Sequence, residues 1–325
     1  MGFPTFKITN PGPCTTIQKL PEQTNADKSI PTSGPFDCFA LKMGNLILKN
    51  PLDASGIEIT GEGGEIQVVR ETAIAVTGGV FDVKVNGKEM QRWSTLDLSK
   101  GDTISIGTSE SGWRCYICAA GGVRAQHMPK TKSILGREKI NGPSARPLRK
   151  GDVLITETPL ATLSQLTGRR VREDLLPKLD GEHELRIVPR PQFDQLKDES
   201  KEVLLNSSYR VSVHSNRECY RFEGPQLLFK LQNYRVIGGS GTQVGENAGG
   251  LIQVISDGEV VCTGPDFVPT DDRVEIARLI TSDIDRVAQL RPKDHIRFKV
   301  VSPDDAKLIF AHWISLISEA NILSR

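Results

Sequence analysis

Apolar and polar residues alternate along most of this chain in short runs broken by Gly, Pro and Asn, the signature of strands joined by tight turns. Residues 56–106 show it best, with turns at Gly61-Glu62-Gly63-Gly64, Gly78-Gly79 and Asn86-Gly87. That spacing predicts a β-meander or barrel. Phe6–Ile8 and Thr15–Gln18 read as short strands around Asn10-Pro11-Gly12-Pro13. Two Lys-Gly-Asp turns, at 100–102 and 150–152, precede the strands Thr103–Ile106 and Val153–Ile155. Trp113–Ala120 also reads as a strand. In the second half, Glu184–Pro189, Tyr209–Val213 and His295–Val301 have strand character, and Pro225–Leu231 is a further apolar run.

Helical periodicity is confined to a few places. Ser33 and Pro35 suit the cap and first turn of a helix carrying Phe36, Phe39, Ala40, Met43, Leu46 and Ile47, stopped by Asn50-Pro51. Short helices are predicted over Glu199–Leu205 and Ser282–Gln289. Ser302-Pro303-Asp304-Asp305 starts a C-terminal helix. Its apolar stripe of Ala306, Ile309, Phe310, Trp313, Ile314, Ile317 and Ala320 predicts core packing. Residues 160–182 are polar and patternless, which places a division there and predicts modules over 1–170 and 171–325.

Composition narrows the function classes. The 41 basic and 40 acidic residues leave a net charge of +1 with no long basic run, so no electrostatic footprint for nucleic acid is present. No apolar stretch reaches the roughly 18 residues of a membrane span. The start, Met1 to Lys7, has no signal-peptide pattern, and Phe6 stands where myristoylation favours Ser or Thr. A cytoplasmic location is expected.

Local chemistry is sparse. The six cysteines are too scattered for a disulfide framework. Cys115 and Cys118 form one CxxC, but on a strand residues three apart face opposite ways, so buried structural thiols are expected. The five histidines lack metal-ligand spacing, and no metal site is expected. Gly121-Gly122 and Gly238-Gly239-Ser240-Gly241 lack the following helix of a phosphate cradle. Residues 128–150 are basic and loop-like, either a solvated linker or a loop presenting cations to an anion. The most informative segment is Ser215-Asn216-Arg217-Glu218-Cys219-Tyr220-Arg221-Phe222-Glu223-Gly224, a charge-dense run between two strand-like segments.

That decapeptide closely resembles the S-D/N-R-x-G-Y-R-L/F-E-G signature of the biotin-dependent carboxyltransferase family, also called allophanate hydrolase subunit 2. The family includes one of the subunits of the prokaryotic 5-oxoprolinase and part of the urea carboxylase carboxyltransferase domain. Further pieces follow in the family's order. Pro11–Gln18 resembles P-G-x-x-T-T-I-Q-D, and Ile30–Asp37 followed by Ala40-Leu41 and Gly44-Asn45-Leu46 resembles V-P-x-S-G-A-M-D…A-L…A-N-L. Gly121-Gly122, Arg146–Asp152, Arg186–Gln192, Gly250–Val254 and Asp283–Phe298 resemble later motifs, so the likeness covers nearly the whole chain.

Departures fall at informative places. Gln18 is followed by Lys19-Leu20-Pro21 rather than D-x-G-R, and Cys219 stands in the place of a glycine. The family's G-S-R-S-T loop aligns with Lys130–Ser133, which keeps a cation in Lys132 and a hydroxyl in Ser133. Its D-x-x-T-T-G-G-Y-P falls on Asp266–Val274, where Asp266 and Thr270 survive but Gly-Gly-Tyr becomes Asp271-Asp272-Arg273. Two carboxylates in place of two glycines change both shape and charge.

The resemblance implies a mainly β fold of two cyclophilin-like β-barrel modules with a few short helices and a C-terminal helix. It implies a hydrolase or carboxyltransferase subunit acting on a urea- or 5-oxoproline-like amide or lactam, not active by itself. The implied partner is an allophanate hydrolase subunit 1-type protein, with a biotin carboxylase or LamB/YcsF-type subunit as a further member. Biotin or ATP would serve the complex, with none bound directly. A non-catalytic regulatory or scaffold subunit is the alternative. Developing negative charge calls for fixed planar donors. Arg217 is the expected ligand-facing residue, with Tyr220, Asp266 and Thr270 as its catalytic companions. Arg221, Glu223, Arg146, Lys132 and Ser133 are expected substrate-binding residues, Glu223 holding an arginine in place. The competing reading makes Arg217, Arg221 and Glu223 a buried ion-pair network tying strands together.

Overall fold

The computed structural model describes residues 2–21, 33–125, 146–231, 249–255, 257–267 and 273–324. These form two compact units, one holding the described residues up to Asp180 together with 315–324, the other residues 181–314. The fold is mainly β, as expected.

The first unit contains β1 (Phe3–Asn10), β2 (Thr15–Gln18), β3 (Gly56–Thr60), β4 (Glu65–Val68), β5 (Thr72–Val85), β6 (Lys88–Glu89), β7 (Thr95–Leu98), β8 (Thr103–Ala119), β9 (Arg124–Ala125) and β10 (Val153–Thr156). They build a ten-stranded sheet around the long β5–β8 pair. β5 and β6 are joined by Asn86-Gly87, both at positive φ (52° and 78°), the hairpin turn their sequence predicts. Register shifts between Gly78 and Val83 bend β5 against β8.

Alternation along β8 feeds two separate cores. Cys115 and Ile117 pack among Phe6, Ile8, Ile57 and Ile104, whereas Tyr116 and Cys118 pack with Leu41, Met43 and Ile47. The CxxC thiols therefore do point to opposite faces. Burial pushes the Cys118 thiol up to about 12 and the Cys115 thiol higher still, so both stay protonated at neutral pH.

The second of these cores is closed by α1 (Cys38–Ile47). Its cap is Asp37 rather than Ser33. The Asp37 Oδ1 accepts from the Ala40 N–H at 2.8 Å, while the Asp37 N–H donates to the Tyr116 hydroxyl at 2.8 Å. At the other end the Arg169 guanidinium donates to the carbonyls of Ile47 (2.7 Å) and Leu46 (3.0 Å), placing a cation on the negative end of the dipole. Past α2 (Leu163–Leu166), the patternless 160–182 stretch contributes β11 (Arg170–Val171).

The second unit is a closed seven-stranded barrel of β12 (His183–Pro189), β13 (Tyr209–Val211), β14 (Cys219–Glu223), β15 (Leu251–Val254), β16 (Val260–Thr263), β17 (Val274–Leu279) and β18 (His295–Val300), ordered β12-β17-β15-β16-β14-β13-β18. The closing β12–β18 pair is parallel and the other described pairs are antiparallel. Tyr209, Phe222 and Phe298 meet edge-to-face inside, at ring distances of 5.7 and 5.6 Å. Outside the strands are α3 (Asp198–Asn206), α4 (Thr281–Gln289) and α5 (Pro303–Leu316). The α4 residue Asp283, fully buried, takes a fork from Arg186 on β12 at 2.5 and 3.0 Å.

The apolar stripe of α5 is a correction. No residue of this helix is buried: Ala306, Ile309 and Trp313 are half-covered, and Phe310 and Ile314 are 38% and 48% exposed. The helix ends at Leu316, so Ile317 and Ala320 are not on it, and Phe310 stacks on Trp313 at 5.8 Å. Beyond it, β19 (Ile322–Leu323) pairs with β11 in the first unit.

Candidate functional site

On β14, Tyr220 and Phe222 point into the barrel, so Cys219, Arg221 and Glu223 line the opposite face. The turn leading into β14 is fixed locally. The Asn216 Oδ1 accepts from the N–H groups of Glu218 (2.8 Å) and Cys219 (3.0 Å), and Ser215 Oγ accepts from the Arg221 N–H at 3.0 Å. Asx-type chemistry thus replaces the strand ladder just where Arg217 must project.

Arg217 meets Asp266 in a bidentate pair, Nε to Oδ2 at 2.9 Å and Nη2 to Oδ1 at 3.0 Å. Their side chains are 11% and 7% exposed. Backbone bonds run alongside, from the Asp266 N–H to the Arg217 carbonyl and from the Gly264 N–H to the Glu218 carbonyl. The 215–218 turn and the turn after β16 are thereby held as one piece.

Arg221 does not share this pair. Its Nη1 donates to Glu259 Oε2 at 2.7 Å. Glu223 was expected to hold Arg217 or Arg221; it instead takes both donors of Arg210 across the β13–β14 pair, at 3.0 and 2.5 Å. Among the described residues, Arg217, Arg221 and Glu223 pair with Asp266, Glu259 and Arg210 respectively, each on a different strand or turn. Tyr220 is 1% exposed, and its hydroxyl donates to the Leu290 carbonyl at 3.2 Å. Its inward position follows from strand alternation. Arg146 lies in the first unit, where its fork grips Asp152 at 2.8 and 2.7 Å across the Lys-Gly-Asp turn. Thr270, Lys132 and Ser133 lie outside the described residues.

Two sequence departures touch each other. The Arg273 Nη1 sits 3.6 Å from Cys219 Sγ, and its guanidinium carbon lies 5.6 Å from the Phe267 ring centre. Burial pushes the Cys219 thiol up, and the neighbouring guanidinium offsets only part of that rise. Cys219 is therefore a covered thiol rather than a poised nucleophile.

Sequence reasoning missed several residues of this face. Arg221 pairs across to Val261, Val261 to Gln253 and Gln253 to Glu275, making one row over four strands. Glu275 is held by Arg190 at 3.2 Å. The alternation of Glu275 with Ile276 was the available signal; Glu259 and Arg190 sit just outside strands and had none. In the first unit a buried trio was also missed. The Tyr116 hydroxyl donates to Glu58 at 2.6 Å, and Arg114 Nε lies 3.6 Å from Glu58, with both charged residues 1% exposed. An arginine inside Trp113–Ala120 was its only trace.

Around β14, Arg190, Arg210, Arg217 and Arg221 each meet a carboxylate, and Arg273 meets a thiol. The arrangement suits a neutral polar group better than a polyanion such as a triphosphate. Among the described residues, no cluster of His, Cys, Asp and Glu has metal-binding geometry. No described helix is long and apolar enough to cross a membrane.

The described fold and site define a mainly β protein with a closed barrel that carries a charge-matched, arginine-bearing face. Residues 28–300 match the carboxyltransferase domain, subdomain A and B, and the chain belongs to that family. It is 29% identical over 314 residues to the urea amidolyase of Lachancea kluyveri, covering 91% of this chain and 17% of that protein. It is 24% identical to a 5-oxoprolinase subunit of Escherichia coli (strain K12), covering 93% of each. The K. lactis urea amidolyase structure has a similar fold, with a TM-score of 0.83, 24% identity, and coverage of 98% of this chain and 21% of that one. The chain thus spans about a sixth to a fifth of the amidolyases it matches.

Proposed function

We propose that this chain is the carboxyltransferase-type subunit of a heteromeric, ATP- or biotin-linked enzyme acting on an amide or lactam of urea or 5-oxoproline type. It works with an allophanate hydrolase subunit 1-type companion, and a biotin carboxylase or LamB/YcsF-type protein is the further member. The observation that carries this reading is the buried Arg217–Asp266 fork, which joins the most family-like turn to the turn after β16. Energised carboxyl or phosphoryl chemistry is assigned to the assembly. This chain's share is to bind and orient the amide-bearing group beside Arg217 and Arg221. ATP phosphates do not fit the charge-matched face. In the same reading the two compact units act as the two modules of the subunit.

The test is reconstitution with companion subunits, ATP and either urea or 5-oxoproline. Turnover is expected only for the assembled set, falling at least tenfold for Arg217→Lys, which keeps charge but loses the fork. Full activity of Arg217→Lys rejects the site. The Arg273–Cys219 contact favours a second reading, a regulatory or scaffold subunit, because a cation there alters the face that would meet substrate. A stable complex without turnover on any amide supports that alternative.

A further inference from the structure

Gln253 lies between Val261 and Glu275 on the barrel's outer face and is 3% exposed. Its Oε1 is buried and accepts no hydrogen bond among the described residues. A buried carboxamide oxygen without a donor is costly, and native proteins rarely retain one without a purpose. Glu275, paired opposite Gln253, is matched by Arg190 at 3.2 Å, and Arg221, beyond Val261 in the same row, by Glu259 at 2.7 Å. The row therefore offers an acceptor in a locally neutral setting.

We infer that Gln253 is a recognition residue for a neutral N–H donor, the cis-amide or urea edge of a ligand. Such an edge places N–H beside C=O, and a glutamine carboxamide pairs with both in one eight-membered ring of two hydrogen bonds. An anion offers no donor and is disfavoured at Oε1. The site shares its row with Arg221 and gives specificity rather than charge stabilisation. Because Gln253 is nearly covered, ligand entry requires neighbouring side chains to shift, and association is slow for so small a ligand. The inference rests on the amide-directed function proposed above and narrows it to ligands with a free amide or urea N–H.

The test uses the whole chain, without partners, and three small probes. By calorimetry and saturation-transfer NMR, 2-pyrrolidinone is expected to bind at least tenfold more tightly than N-methyl-2-pyrrolidinone, which lacks the donor. Gln253→Met, of similar volume but without hydrogen-bonding capacity, is expected to erase that ratio. It should also raise the Tm of the ligand-free protein by roughly 2–4 °C, which shows that the variant is folded. The cyclic urea 2-imidazolidinone separates the sources of the edge. Binding tighter than 2-pyrrolidinone assigns the site to the ureido ring of biotin; weaker binding assigns it to a lactam substrate. Equal binding of the methylated and unmethylated lactams overturns the inference, as does a ratio that survives in Gln253→Met. If probe discrimination holds but the reconstituted assembly turns over no amide, the proposed function fails and the recognition site stands. Turnover without discrimination gives the reverse.

Discussion

The Arg217–Asp266 fork makes a quantitative prediction. Two full charges meet at 2.9 and 3.0 Å in side chains only 11% and 7% exposed. At an effective dielectric constant near 20, unit charges 4 Å apart attract by about 4 kcal/mol, and desolvation offsets much of that. Removing one partner strands the other, so Arg217→Met is expected to cost about 3–5 kcal/mol. Asp266→Leu by itself should cost a similar amount. The double variant leaves neither charge stranded and should cost far less than the sum, with a coupling of at least about 2 kcal/mol. Equilibrium urea unfolding followed by the fluorescence of Trp313 reads this, since Trp93 and Trp113 belong to the first unit. Costs that add within about 0.5 kcal/mol would show that the fork is an incidental contact.

Two further predictions concern the first unit. Tyr116→Phe removes one hydrogen bond given to Glu58 and one taken from Asp37, in a side chain with no exposure, and should cost about 1–3 kcal/mol by denaturant titration. A loss below about 0.5 kcal/mol would mean that water replaces the hydroxyl. Asp152 supplies a pH test. Burial pushes its carboxyl up, but hydrogen bonds from Arg146 and the Arg149 N–H outweigh this and hold it below the usual value. Its contribution is therefore complete above the ordinary carboxylate range and lost as pH falls through the lowered folded value. Arg146→Ala should lower stability by about 1 kcal/mol at pH 7 and by almost nothing near pH 2. An equal loss at both pH values would contradict the assignment.

Much of the fold was readable because its code is local. Alternation in residues 56–106, the Asn86-Gly87 hairpin and the opposed Cys115 and Cys118 each depend on a few adjacent residues. The capping of α1 was misassigned by four positions, since both Ser33 and Asp37 are good caps and only the Tyr116 hydroxyl, 79 residues away, selects Asp37. The stripe on α5 has core periodicity, yet periodicity says only which face is apolar and not what covers it. The site was half legible. Arg217 and Asp266, 49 residues apart, were both singled out, but the partner of Glu223 follows from strand register and that of Arg221 lies just outside a strand. Gln253 stands within the family-like Gly250–Val254, but no sequence feature assigned it a role. Its interest lies in a hydrogen bond it does not make.

The pairing of β19 with β11 has a consequence for biosynthesis. Residues 315–324 complete the first unit, yet they follow the whole barrel in the chain. On the ribosome, at about 5–20 residues per second, β11 waits on the order of ten seconds for its partner strand. All of the barrel is translated in that interval. The first unit must therefore remain one strand short, with the backbone of Arg170–Val171 lacking its β19 partner, until Ile322 and Leu323 leave the exit tunnel. A stall or truncation after the barrel would leave its strands complete and spoil the unit made first.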